Sequence, residues 1–138
     1  MKRMIIGLAA TTLMGGGLVA VSAETAHAAC PYTGCVDTFT RVSAPDTVKK
    51  GRTAKICVKV TTGGNGKPKG RVTVRVTRGV GGYHFVDSKP YDGGRECFRT
   101  TKLTKVGKYV VKANFDRKAG SGFKDSDQRT DFRVTRRG

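Results

Sequence analysis

The chain reads as an all-β protein, an antiparallel β-sandwich of about seven short strands. Two observations predict it. Apolar residues recur at every second position in segment after segment, and turn-forming clusters separate those segments. No helical period of useful length competes with this alternation. Taken in order, Phe39–Val42 predicts a weak first strand. "TAKICVKVT" places Ala54, Ile56, Val58 and Val60 on one face, with Lys55, Cys57 and Lys59 on the other. "GRVTVRVT" sets Val72, Val74 and Val76 against Arg71, Thr73 and Arg75. Weaker strands follow at His84–Ser88 and Arg95–Thr101. "GKYVVKANF" gathers Tyr109, Val111, Ala113 and Phe115, and "RTDFRVT" gathers Thr130, Phe132 and Val134. "GGNGKPKG", "RGVGG", "YDGG" and "KAGSG" supply the turns. A strand of this kind buries its apolar face and wets the other, the habit of antiparallel sheets.

Residues 1–28 read as a secretion signal peptide. Lys2 and Arg3 open it, an apolar stretch runs from Ile5 to about Ala23, and Ala26-His27-Ala28 forms a cleavage pattern. Lipid attachment at Cys30 is disfavoured, because His27 stands where lipidation wants a Leu-like residue. Cleavage would leave residues 29–138, a secreted, extracellular chain of 110 residues with no membrane span. That is the size of one domain, able to bury about two thirds of its unfolded surface. In an oxidising compartment its four cysteines read as two disulfides. The formal net charge is +17 at pH 7. The signal holds two basic residues and one acidic one, so the remainder keeps +16. Such a charge bears on solubility and partners rather than on fold.

Three features carry a resemblance: the Gly before the second strong segment in "VKKGRTAKICVKV", the "G-x-P-x-G-x-V-x-V" run beginning at Gly66, and "L-x-x-x-G-x-Y" ending at Tyr109. Over about Ala44 to Thr135 the chain resembles the bacterial immunoglobulin-like domains of surface and secreted proteins. The resemblance implies an immunoglobulin-like antiparallel β-sandwich over residues 44–138, preceded by an N-terminal disulfide-stapled arm over residues 29–43. It says little about function, which sits in sites grafted on folds. Tyr109 matches the place of the tyrosine corner, where the phenol bonds nearby backbone.

Alternation turns Cys57 outward with Lys55 and Lys59, and turns Cys97 outward opposite to Phe98. In immunoglobulin-like sandwiches the second and fifth strands are neighbours. A Cys57–Cys97 bond would then staple adjacent strands across the surface of one sheet, with roughly 4 kcal/mol from closing a loop of about forty residues. The remaining pair, Cys30–Cys35, closes a small loop worth about 2 kcal/mol. Three pairings are formally open. This one is preferred because it keeps the front cysteines local.

Catalytic side chains are scarce. After cleavage His84 is the one histidine and Glu96 the one glutamate, and paired cysteines leave no thiol for nucleophilic or zinc chemistry. The chain is therefore expected to be no enzyme and to hold no cofactor and no metal. Asp125, Asp127 and Asp131 lie close in sequence, but the spacing of a calcium loop is absent, and a solvated acidic loop is the favoured reading. Arg71, Arg75, Lys112 and Arg133 are expected on the outer face of one sheet, as a weak polyanion site, with Lys55, Lys59 and Arg99 on the other. Charge on both sheets and the absence of Trp argue against a specific nucleic-acid partner. Binding to an anionic cell-wall polymer stays open.

The segment "ACPYTGCV" lies outside the immunoglobulin-like stretch. It either pins a fraying first strand or docks a partner. In the second case Cys30, Pro31, Tyr32, Thr33, Gly34, Cys35 and Val36 form the partner-binding loop, rigid through its disulfide and carrying a tyrosine anchor. One module plus one stapled arm resembles the small immunoglobulin-like adaptor subunits of umbrella-shaped antibacterial toxin particles. That resemblance implies a large stalk-type partner for the arm and lectin-type subunits as further partners. Two alternatives stand beside it: a stand-alone cationic wall-binding or antimicrobial protein, and a secreted enzyme inhibitor that uses the stapled loop.

Overall fold

The computed structural model describes residues 34–79 and 82–136. They contain eight strands: β1 (Thr38–Ser43), β2 (Thr47–Lys49), β3 (Lys55–Thr62), β4 (Gly70–Arg78), β5 (His84–Tyr91), β6 (Arg95–Arg99), β7 (Gly107–Arg117) and β8 (Ser126–Thr135). The fold is all-β and has two sheets. One runs β1-β3-β6 and the other β2-β8-β7-β4-β5. Every neighbouring pair is antiparallel except β2 and β8.

The strand beyond the expected seven is β2. After β1 the chain turns at Pro45, leaves the small sheet and lays three residues parallel to the end of β8, with Thr47 opposite Arg133 and Lys49 opposite Thr135. Three residues carry too little alternation to be recognised, and parallel pairing leaves no local turn signal.

On β3, β4 and β7 the residues that alternation points inward are the ones buried. Those of β3 and β4 are β-branched, and those of β7 include Tyr109 and Phe115. Each fully buried side chain of this kind stabilises by about 1.5–3 kcal/mol relative to exposure. On β8, Phe132 and Val134 are buried and Thr130 is half-buried. Tyr109 stacks on Phe132 at 5.4 Å and meets Tyr83 edge-on at 5.3 Å. Its hydroxyl donates to the Lys105 carbonyl four residues upstream at 2.8 Å, the backbone anchor expected of it. Gly70 opens β4 where a Cβ would run into the Asp116 carbonyl and the Phe115 ring, so no larger residue fits that close approach.

Cys57 and Cys97 are directly opposite one another on β3 and β6, on the outer face of the small sheet. They form a disulfide with Cα atoms 4.1 Å apart. The bridge joins adjacent strands within a sheet, as their outward positions required.

β6 ends its pairing with β3 at Arg95 opposite Lys59, yet β3 continues to Thr62. Tyr91, from the other sheet, fills the gap. Its hydroxyl accepts from the Val60 N–H at 2.8 Å and lies within donating reach of the carbonyls of Val60 (3.2 Å) and Gly94. One side chain thus supplies the partner that a strand would have supplied.

Residues 38–43, at the end of the segment assigned to the arm, form the edge strand β1 of the small sheet, paired along their whole length with β3, where a weak strand was expected at Phe39–Val42. Their alternation puts Thr38, Thr40 and Val42 on the inner side, the two threonines buried and Val42 half-buried against the core. Both hydroxyls lie 2.7 Å from Ser126 Oγ on β8. Thr38 Oγ1 also reaches the Lys124 carbonyl at 2.8 Å, and the Gln128 side chain accepts from the Val42 N–H at 2.6 Å. Polar side chains therefore seal most of this edge between the sheets, with Val42 packed against the core beside them.

Replacing Ser126 by Ala removes the shared partner of Thr38 and Thr40. The expected cost is about 1–2 kcal/mol in urea unfolding, with faster amide exchange over residues 38–40. Tyr91→Phe strips the Val60 N–H of its acceptor, and a loss of about 1–3 kcal/mol is expected. Burial pushes the phenols of Tyr91 and Tyr109 above their ordinary value of 10.0. The folded state then holds those protons more tightly than the unfolded chain. Their contribution is intact below about pH 10 and is lost as pH rises through the folded pKa. Stability measured above pH 10 should fall, and Tyr109→Phe should show a smaller fall than the native chain.

Candidate interaction site

The described part of the N-terminal segment begins at Gly34 and runs onto the loop between β7 and β8. Val36 donates to the Gly122 carbonyl at 2.9 Å and accepts from the Lys124 N–H at 3.0 Å, a parallel bridge beside Phe123. Asp37 pairs with Lys124 at 2.7 Å. Arg117 braces the same place: its guanidinium donates to the Phe123 carbonyl at 3.1 Å and approaches Cys35 Sγ at 3.8 Å, and its N–H donates to Asp125 at 2.7 Å. Phe123 in turn lies against Gly66 of the β3–β4 turn, where even a methyl group would be crowded by its ring.

Of the expected partner-binding residues, Cys35 and Val36 are therefore held at one end of the sandwich, exposed Gly34 precedes them, and Val36 keeps 44 % of its surface exposed. Cys35 is disulfide-bonded. The signal peptide, Cys30, Pro31, Tyr32, Thr33 and the Cys30–Cys35 pairing lie outside the described residues. An open groove of about 460 Å³ adjoins this end, lined by Lys67, Lys69, Lys118 and Phe123 among others. The charge there is basic, and Phe123 is its one aromatic wall.

Arg71, Arg75, Lys112 and Arg133 do share the outer face of the five-stranded sheet, all exposed. The register also places acids among them. Arg71 faces Asp116, and Arg75 faces Lys112, which pairs with Asp127 at 3.7 Å. Lys108 faces Arg133 and pairs with Asp131 at 3.2 Å. A mixed, partly neutralised surface results, because β8 alternates acids with bases on its outward side. Lys55, Lys59 and Arg99 lie on the outer face of the small sheet as expected, joined there by Arg41 and Arg95. Sequence reading missed those two. Both lie in segments expected to be strands, but their placement beside Lys59 depends on a long-range register that local alternation does not encode.

The three aspartates do not converge. Asp125 accepts from backbone, while Asp127 and Asp131 pair with separate lysines. Among the described residues no group of three His, Cys, Asp or Glu side chains is arranged to hold a metal. His84 is the exposed first residue of β5. Among the described residues no helix is long and apolar enough to cross a membrane.

No protein family's sequence profile matches the chain, and no curated protein matches it. Solved structures that resemble it include the crystal structure of a β-glucosidase from Listeria innocua, with 11 % identity and a TM-score of 0.48. The match covers 72 % of this chain and 16 % of that enzyme. A likeness this slight carries no argument about what the chain does.

Proposed function

We propose that the protein is a secreted, non-enzymatic interaction module whose disulfide-stapled N-terminal loop docks into another secreted protein. The observation that supports this reading most is the anchorage of residues 35–37. Two backbone hydrogen bonds, an ion pair and the Arg117 contacts fix the base from which the loop departs. A loop held at its base and closed by its own bond loses little entropy on binding. Val36 and Phe39, the latter with 55 % of its surface exposed, add apolar surface to the segment that follows the loop in sequence.

An adaptor also needs a second end. β8 starts at Ser126 beside Thr38 and finishes at Thr135 beside Lys49, about 30 Å further on at ordinary strand rise. The chain thus enters at one end of the sandwich and leaves at the other. Two accessible ends suit the layout of the small immunoglobulin-like adaptors of umbrella-shaped toxin particles, with the stapled loop in a stalk-type subunit and lectin-type subunits elsewhere. In this reading the assembly is extracellular and antibacterial.

The test is recovery of partners from native culture supernatant with a C-terminally tagged chain, washed in high salt and identified by mass spectrometry. The control combines Tyr32→Ala with Cys30→Ser and Cys35→Ser. Large secreted partners that survive the wash, one of them lost in the control, are expected. A single retained hydrolase would move the case to an inhibitor, and loss of everything in salt would sink the docking idea.

A further inference from the structure

The outer face of the small sheet carries a charge pattern that folding does not require. Its outward positions are Phe39, Arg41 and Ser43 on β1, Lys55, Cys57, Lys59 and Thr61 on β3, and Arg95, Cys97 and Arg99 on β6. Half of these positions are cationic and none is acidic. The register sets the charges in rows. Arg41, Lys59 and Arg95 stand side by side across all three strands, and Lys55 stands opposite Arg99. Neighbouring strands are about 4.8 Å apart. Each cation therefore has a like charge as its direct cross-strand neighbour, which destabilises a sheet. Among the described residues none of the five makes an ion pair. The larger sheet differs, because its Lys108 and Lys112 find aspartates one strand away.

The Cys57–Cys97 bridge lies between the two rows, which are about 13 Å apart at ordinary strand rise. It holds β3 and β6 together where repulsion on either side pushes them apart. An open groove of about 510 Å³ runs past it, with Ser43, Pro45, Lys55, Cys57 and Arg95 in its lining.

We infer that this face binds a linear, phosphate-bearing polyanion, with Arg41, Lys59 and Arg95 as one binding row and Lys55 and Arg99 as the other. Three of the five are arginines, whose planar forks take phosphate oxygens two at a time. Bound phosphates relieve the repulsion built into the rows. Phe39, at one corner, is the one aromatic among the outward positions, and a single-stranded nucleic acid would want successive stacking platforms. The polymer is therefore held by its phosphates and not by bases. The site makes no use of the N-terminal loop, so it stands or falls separately from the adaptor reading.

Binding of the secreted chain to linear polyphosphate, to poly(glycerol phosphate) and to oligothymidylate is measured across a salt series. Arg41→Gln/Lys59→Gln/Arg95→Gln is compared with Arg71→Gln/Arg75→Gln/Arg133→Gln, an equal charge removal on the opposite face. The first variant should lose at least about tenfold in affinity for both phosphate polymers. Its slope of log affinity against log salt should shrink by about 2 to 3, at about 0.9 for each phosphate no longer neutralised. The second variant should change by less than about threefold. Melting of the first variant should occur at the same or a higher temperature, since like charges have been removed. Should it unfold, Lys55→Gln/Arg99→Gln is compared with Arg71→Gln/Arg75→Gln, two charges removed from each face, with the same outcomes expected. The stronger of the two polymers identifies which phosphate source is preferred. Equal losses in both variants, no binding by the native chain, or tighter binding of oligothymidylate that Phe39→Ala abolishes would each overturn the inference.

Discussion

Much of this molecule depends on one hydroxyl. β6 is too short to accompany β3 along its full length, so the far end of the β3 ladder has no backbone partner on that side. The Tyr91 hydroxyl, carried on β5 of the facing sheet, takes that place for Val60. This lets β3 run on to Thr62 and offer Thr61 and Thr62 to the first residues of β1. The start of β1 in turn fixes where Val36 meets the β7–β8 loop. A buried phenol thus supports, through two strands, the position of Val36 and Asp37 at that end of the sandwich. Nearby, Tyr91 also packs edge-on against Phe115 at 5.8 Å, so its ring is held by the core while its tip serves the backbone.

What the sequence makes legible here is what depends on neighbours in the chain. Period-two alternation assigned the inward residues of β3, β4 and β7, and with them the outward side of Cys57 and Cys97. Tyr109 was readable as a backbone anchor from its place after Gly107. What stayed hidden depends on partners far away. The short β2 has meaning only beside β8. β1 was legible as a weak strand at Phe39–Val42, but its seat against β8 was not, because Thr38 and Thr40 are buried at Ser126, more than eighty residues on. The cation rows are a product of register, and register is invisible until Cys57 has found Cys97 and Ser43 has found Cys57.

The two sheets arrange their charge differently. On the larger sheet β8 alternates Asp127, Arg129, Asp131 and Arg133, so bases and acids share the surface and exposed ion pairs form. Exposed pairs of that kind add little stability, about 0–1 kcal/mol, but they weaken the field. The smaller sheet has no acid among its outward residues to cancel its field, and it is also the sheet with the Cys57–Cys97 bridge. Its edge strands β1 and β6 both carry arginine outward, which guards them against pairing with other chains. Protection of the edges and attraction of a polyanion therefore come from the same side chains.

The terminal strands have a consequence for a chain tethered at both ends. β1 and β8 run in the same direction where they touch, with Thr38 and Thr40 at Ser126 and Val42 at Gln128, and β2 continues that alignment along Thr47–Lys49. Tension applied between Gly34 and Arg136 pulls these strands lengthwise past each other. The side-chain bonds and the β2–β8 ladder are then loaded together, in shear, and cannot be peeled open one at a time. A module built this way transmits force between two attachments before it unravels.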